Sequence, residues 1–199
     1  VSDLSPVDES PSLVKTADPF STMVLSPFDD PWIPETSYPN LPEYPYDFGI
    51  EREVTVLKTG QEPYNWQVED FEKPKEEDLI IYEVLIRDFD SERTFQNLID
   101  RIDYFKDLNI NAIELMPVME YEGNESWGYN TAFHMSVDKF YGPEEKLKEF
   151  VDLCHQNNIA VILDLALNHI TGRSPFVRMW MNDPDNNGWG SVSEENPYL

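Results

Sequence analysis

Hydrophobic and polar positions follow two rhythms in the second half of this chain, and a third texture fills the first half. The run Ala160-Val161-Ile162-Leu163-Asp164-Leu165-Ala166-Leu167-Asn168-His169 is almost wholly apolar and ends in an acid, an amide and an imidazole. Without alternation, it reads as a strand buried on both faces. Two similar runs precede it, Leu79–Ile86 and Ile110–Met116, the second stopped by Pro117, which has no N–H to give a ladder. Between them Phe95, Leu98, Ile99, Ile102, Phe105 and Leu108 recur every three or four residues, one helical stripe with Ser91 or Thr94 as its cap. After the second strand a long loop leads to Gly142-Pro143, where a helix restarts, and Leu147, Phe150, Val151 and Cys154 form its buried stripe. The order is strand, helix, strand, helix, strand. Doubly buried strands joined in this way predict an α/β fold with right-handed crossovers, either a (β/α)₈ barrel or a doubly wound sheet. The first βα turn has no glycine-rich phosphate fingerprint, which disfavours a dinucleotide fold. Barrels keep their chemistry at the carboxyl ends of strands, so Asp164, Asn168 and His169 are site candidates. The plain alternative is that Asp164 caps a turn and the rest is ordinary loop.

Residues 1–75 hold most of the sixteen prolines and little periodicity beyond Glu53–Leu57. Prolines interleaved with aromatics, as in Asp29–Pro34 and Tyr38–Tyr46, favour extended chain whose rings pack against a neighbouring domain. An exposed aromatic row that stacks sugar rings is the rarer alternative. The charged stretch Glu72–Asp78 contains a proline and marks a boundary, dividing the chain into residues 1–75 and 76–199. The net charge of −25, from 39 acids against 14 bases, excludes nucleic acid and anionic membrane surfaces as natural partners. Cys154 is the single cysteine, has no internal partner for a disulfide, and lies on an apolar helix face. No stretch is long and apolar enough to span a bilayer, and the first residues lack the basic-then-apolar order of a signal peptide.

Three motifs then stand in order on this framework: Trp127-Gly128-Tyr129-Asn130 after the second strand, Phe140-Tyr141-Gly142-Pro143 opening the next helix, and Asp164-x-x-x-Asn168-His169 after the third. Together they resemble glycoside hydrolase family 13, the α-amylase family, over roughly residues 77–199. Pro63–Val68 is similar to the connection between an immunoglobulin-like amino-terminal domain and the barrel in bacterial members. The resemblance implies the first three βα units of a (β/α)₈ TIM barrel, preceded by an irregular Pro-rich segment that is the tail of a β-sandwich domain. It implies activity on α-glucans such as starch, glycogen or maltooligosaccharides, with no required cofactor.

Residue by residue, the resemblance gives Tyr129 the role of stacking on the glucose ring at the bond to be cut. It gives His169 a hydrogen bond to a hydroxyl of that sugar, and Asp164 the support of the site at the strand end. Asn168 matches a position whose amide oxygen binds structural calcium in many members. His134, between Phe133 and Met135, reads as a packing histidine, and Glu83, Arg87, Asp88 and Glu114 as ion-paired groups within the barrel. Members that retain anomeric configuration use two carboxylates about 5 Å apart. In the family these follow strands four and five, so nucleophile and acid/base are expected beyond Leu199, and Asp183, Asp185, Glu194 and Glu195 read as loop acids that do not replace them. Three strands leave an uncovered parallel edge. The expectation is one portion of a longer polypeptide, inactive and poorly soluble alone, requiring the remainder of the barrel. The alternative is a relative without catalytic carboxylates that acts as a glucan-binding or partner subunit. A bacterial periplasmic or cell-surface location follows from the resemblance alone.

Overall fold

A computed structural model describes residues 2–4, 11–13, 16–46, 52–182 and 190–198. The amino-terminal region forms two antiparallel pairs, β1 (Ser2–Leu4) with β2 (Pro11–Leu13) and β3 (Val24–Leu25) with β4 (Val54–Thr55). Strand β5 (Ile81–Val84) leads into a helical turn, α1 (Ile86–Phe89), and then into α2 (Phe95–Asp100) and α3 (Ile102–Asp107). Strand β6 (Ala112–Leu115) is followed by a hairpin of β7 (Met119–Tyr121) and β8 (Thr131–Val137). Helix α4 (Glu144–Gln156) returns the chain to β9 (Ala160–Leu163), after which come the single turn α5 (Pro175–Arg178) and the pair β10 (Met181–Asn182) and β11 (Ser191–Val192). Strands β5, β6 and β9 form a parallel sheet in that order. Among the described residues no helix is long and apolar enough to cross a membrane.

Parity along these strands decides what faces what. Val84, Ile113 and Leu115 point to the helical layer, where they pack with Phe95, Leu98, Phe105, Phe150 and Cys154, all 2% exposed or less. Helix α2 starts where its sequence says it should. Thr94 accepts the Asn97 N–H (3.3 Å) while the Asn97 side chain accepts the Thr94 N–H (3.2 Å), a reciprocal cap.

The structure differs from the periodicity in four places. The stripe from Phe95 to Leu108 runs over two helices, because the backbone leaves helical geometry at Arg101 (φ −104°, ψ 14°). Arg101 there turns its side chain to Asp90 (3.0 Å), and Leu108 at the far end is 43% exposed. The long loop after the second strand contains the β7–β8 hairpin. Strand β9 is half-buried rather than buried on both faces, since it is the outer strand of the described sheet, and Leu163 is 43% exposed. The third βα unit has only the single turn α5 among the described residues.

Part of the amino-terminal region, residues 17–24, lies against the hairpin. Ala17 and Val24 pack on Ala132 and Phe133, and the Ser136 hydroxyl donates to the Ser21 carbonyl (2.8 Å). Farther along, buried Asp152 on α4 accepts the backbone N–H groups of Gln67 (3.0 Å) and Val68 (3.1 Å). A carboxylate accepting several backbone donors is a strong tie, and here it clamps the connecting chain to the helix.

Candidate functional site

Glu83, Glu114 and Ile162 are aligned in register across β5, β6 and β9, and by parity share the face away from the helices. Asp164 lies two residues beyond Ile162 on β9's exit, its N–H held by the Leu115 carbonyl (2.9 Å). The hairpin loop brings Tyr129 to it. Gly128 makes that approach, with φ +91° and the place of a Cβ only 2.5 Å from the Pro117 carbonyl oxygen, so a side chain there would collide with the exit of β6. The Tyr129 hydroxyl donates to the Asp164 carboxylate. That bond, then burial, then the negative charges of Asp164, Glu83 and Glu114 push the phenol up to about 12.

His169 completes the group from the other side. Its Nε2 donates to the Tyr129 backbone carbonyl (2.5 Å), and its Nδ1 faces Asn168 Oδ1 (2.9 Å). Since Nε2 carries the proton, a neutral ring would accept at Nδ1 from the Asn168 amide in its turned orientation. The three residues predicted as sugar-binding thus meet at the carboxyl end of the sheet, hydrogen-bonded to one another. A sugar hydroxyl that takes the His169 donor must exchange with the Tyr129 carbonyl. The geometry offers a flat ring, a fixed carboxylate and an imidazole on one rim.

His134 is a structural group, as read from its neighbours: its Nε2 donates to the Ala166 carbonyl (3.0 Å), fastening β8 to the β9 exit loop. Arg87 and Asp88 pair with each other (2.8 Å) at an exposed position. Glu83 and Glu114, expected in ion pairs, make none among the described residues. They stand side by side in adjacent strands, facing Tyr129. Asn168 spends its amide on His169, and among the described residues no three His, Cys, Asp or Glu side chains gather as a metal site. Asp183 and Asp185 lie outside the described residues, and Glu194 and Glu195 sit in a turn.

Sequence reasoning missed the ionic clusters behind this site. Lys139, 2% exposed, pairs with Glu120 and with Asp30 (3.2 Å), and Asp138 caps the adjacent turn by accepting the Phe140 N–H (2.9 Å). Burial holds the Glu120 carboxyl up at about 7 against the pull of Lys139, and burial with the Glu120 charge raises Asp138 well above the carboxylate range. Burial alone would lower Lys139, but Glu120, Asp30 and Asp138 together raise it. A second cluster centres on Arg173, which pairs with Asp29 and with Glu122 (3.3 Å) and lies over the Phe28 ring (4.9 Å). Both clusters join the amino-terminal segment to the hairpin or to the β9 exit loop. Nothing in a linear reading separates these charges from solvated ones.

The profile described as alpha amylase, catalytic domain, matches residues 86–190. A malto-oligosyltrehalose trehalohydrolase of Saccharolobus solfataricus is 38% identical over 107 residues, covering 54% of this chain and 19% of that protein. Alpha-amylase 3 of Dictyoglomus thermophilum is 35% identical over 111 residues, 53% of this chain and 22% of that protein. A 1,4-alpha-glucan branching enzyme of Halothermothrix orenii is 32% identical over 139 residues, 63% of this chain and 22% of that one. The chain therefore spans about a fifth of the length of these curated relatives. In structure it resembles a candidate alpha amylase of Salmonella typhimurium, with TM-score 0.63 and 22% identity over 94% of this chain and 28% of that one, a likeness of fold.

Proposed function

Because this chain belongs to the α-amylase family, we propose that it supplies the amino-terminal part of the catalytic barrel of an α-glucan-active glycosidase or transglycosidase. The reading rests on one observation above the others: Tyr129, Asp164 and His169, from two separate loops, converge at the carboxyl end of a parallel sheet. In this reading the Tyr129 ring lies against the apolar face of a glucosyl unit, where a ring with a polar edge stacks and remains wetted. Asp164 holds the ring's orientation through the phenol. His169 donates to a sugar hydroxyl after giving up the Tyr129 carbonyl. The bond itself is broken by double displacement, with a nucleophilic carboxylate and an acid/base carboxylate about 5 Å apart supplied by a part of the polypeptide outside these residues. Residues 1–75 are, in this reading, an amino-terminal segment distinct from the barrel, tied to it through Ser21, Asp29, Asp30, Gln67 and Val68.

The test is the full-length protein acting on maltoheptaose, with Tyr129→Ala and Tyr129→Phe variants and the anomeric form of the first product read by NMR. Ala is expected to lower kcat/KM by about tenfold or more, Phe to keep most of it because the ring persists, and the first product to keep the α configuration. Inverted product, or an Ala variant equal to wild type, refutes the reading.

A further inference from the structure

Away from this site, the amino-terminal segment builds a cleft of its own. Its volume is about 420 Å³, inside the range of roughly 300–1,000 Å³ in which small-molecule sites fall. Tyr38, Tyr44 and Tyr46 line it, with carboxylates of Asp30, Glu35 and Glu43. The hydroxyls of the two inner rings are turned into the protein: Tyr44 donates to the Arg52 carbonyl, and Tyr38 donates to Met23 Sδ (3.8 Å). Tyr44 is buried against Met23 and Leu25 and backs the cleft, so the ring surface open to a ligand is that of half-buried Tyr38 and exposed Tyr46. Tyr46 stands edge to face on Tyr44 (4.8 Å, 63°) and is 60% exposed, and Trp32, which ends the helical turn supplying Asp30, is 76% exposed. Glu35 and Glu43 form no ion pair among the described residues, which leaves acceptors at the rim.

Apolar ring faces bordered by free acceptors suit a ligand with flat C–H faces and many hydroxyl donors. An anionic ligand is opposed by the three carboxylates and by the net charge of −25. The walls are also held in advance. Pro31, Pro34, Pro39, Pro42 and Pro45 fix φ along the segment, so little conformational entropy is lost when a ligand orders it. Asp30 pairs with Lys139, at the far end of β8 from Tyr129. At about 3.3 Å per extended residue the seven residues of β8 put the cleft roughly 20 Å from the proposed cleavage rim.

We propose that this cleft is a second, non-catalytic binding site for a neutral glucan chain, holding one or two glucosyl units of the polymer whose cleavage site is Tyr129. The proposal rests on the α-glucan reading above. A polymer gripped at two points on one protein is retained longer than at either alone, by effective concentration rather than by any new contact at the reacting bond.

The experiment compares full-length wild type with the cleft variant Tyr46→Ala, with Tyr46→Phe and with Tyr129→Ala, by retardation in native gels containing soluble starch and by turnover of maltotriose. The cleft variant is expected to lose about three- to tenfold in starch affinity with maltotriose turnover unchanged, and Tyr46→Phe, which keeps the ring, to be retarded like wild type. Tyr46 is exposed, so its truncation does not empty a core. Unchanged retardation of the cleft variant, while Tyr129→Ala still lowers turnover, overturns this proposal and leaves the catalytic reading standing. If wild type is neither retarded nor active on maltotriose, both readings fall together. Retardation reversed by tetramethylammonium and not by maltoheptaose assigns the cleft to a cation and overturns the proposal.

Discussion

Replacing Lys139 with methionine removes the ammonium that sits among three buried carboxylates while nearly preserving side-chain length. In the native fold Lys139 pairs with Glu120 and Asp30, and Asp138 lies within its field. Breaking a buried pair by deleting one partner costs about 3–5 kcal/mol, because the charge left behind is desolvated and uncompensated. The loss must depend on pH, and its sign can be worked out. Glu120 is held near 7 against an ordinary 4.5, so the folded state keeps its proton more firmly than the unfolded chain. The associated stability is full below about 4.5 and is lost as pH rises through about 7. Lys139 is raised above its ordinary 10.5, so its own contribution is fully present at pH 8 and disappears only at more alkaline pH. In Lys139→Met the pull of the ammonium is gone and Glu120 rises further, so it is neutral at about pH 5 and costly to ionise at about pH 8. Thermal unfolding followed by circular dichroism should show a loss of about 3–5 kcal/mol at about pH 8, or a Tm lower by roughly 6–20 °C. At about pH 5 the loss should shrink to about 1–2 kcal/mol, the worth of packing and hydrogen bonds alone. A loss under about 1 kcal/mol at pH 8, or equal losses at the two pH values, would refute the reasoning.

Gly128→Ala places a Cβ 2.5 Å from the Pro117 carbonyl oxygen at φ +91°, and should lower stability by about 1–3 kcal/mol in calorimetry. The same displacement of Tyr129 should weaken maltooligosaccharide binding in titration calorimetry, whereas Gly123→Ala, with open space around its Cβ position, should leave that binding intact. Asp152→Ala strips the acceptor from two backbone N–H groups, and should cost about 2–3 kcal/mol and expose residues 60–75 to limited proteolysis; unchanged cleavage would mean that the connecting chain is held by something else.

Much of the fold was legible because its signals are local. The sheet strands, the Thr94 cap and the stripe Phe150–Cys154 follow from periodicity and capping within a few residues. The meeting of Tyr129, Asp164 and His169 was legible only through motif order, since 35 residues separate the phenol from its carboxylate. The β7–β8 hairpin was hidden by its own irregularity: its register shifts twice between Met119 and Tyr121, which breaks the alternation that marks a strand. The break at Arg101 carries no Gly or Pro to announce it. The burial of Lys139, Glu120 and Asp30 was illegible for a different reason, since a charge looks solvated until tertiary structure supplies its partners.

The clamps on the amino-terminal segment also set a timetable. Asp29 finds Arg173 across 144 residues, and Gln67 finds Asp152 across 85. Alongside its local ties, such as β3 with β4, the segment therefore depends on partners made long after it. At about 5–20 residues per second of synthesis, the segment waits roughly 4–30 s for its anchors. During that interval its prolines and tyrosines are exposed, and its many acids are what keep it from associating with other nascent chains. This stretch precedes its anchors in synthesis and waits on them for order, so damage to Arg173 or Asp152 would be felt as slowed maturation as well as lost stability.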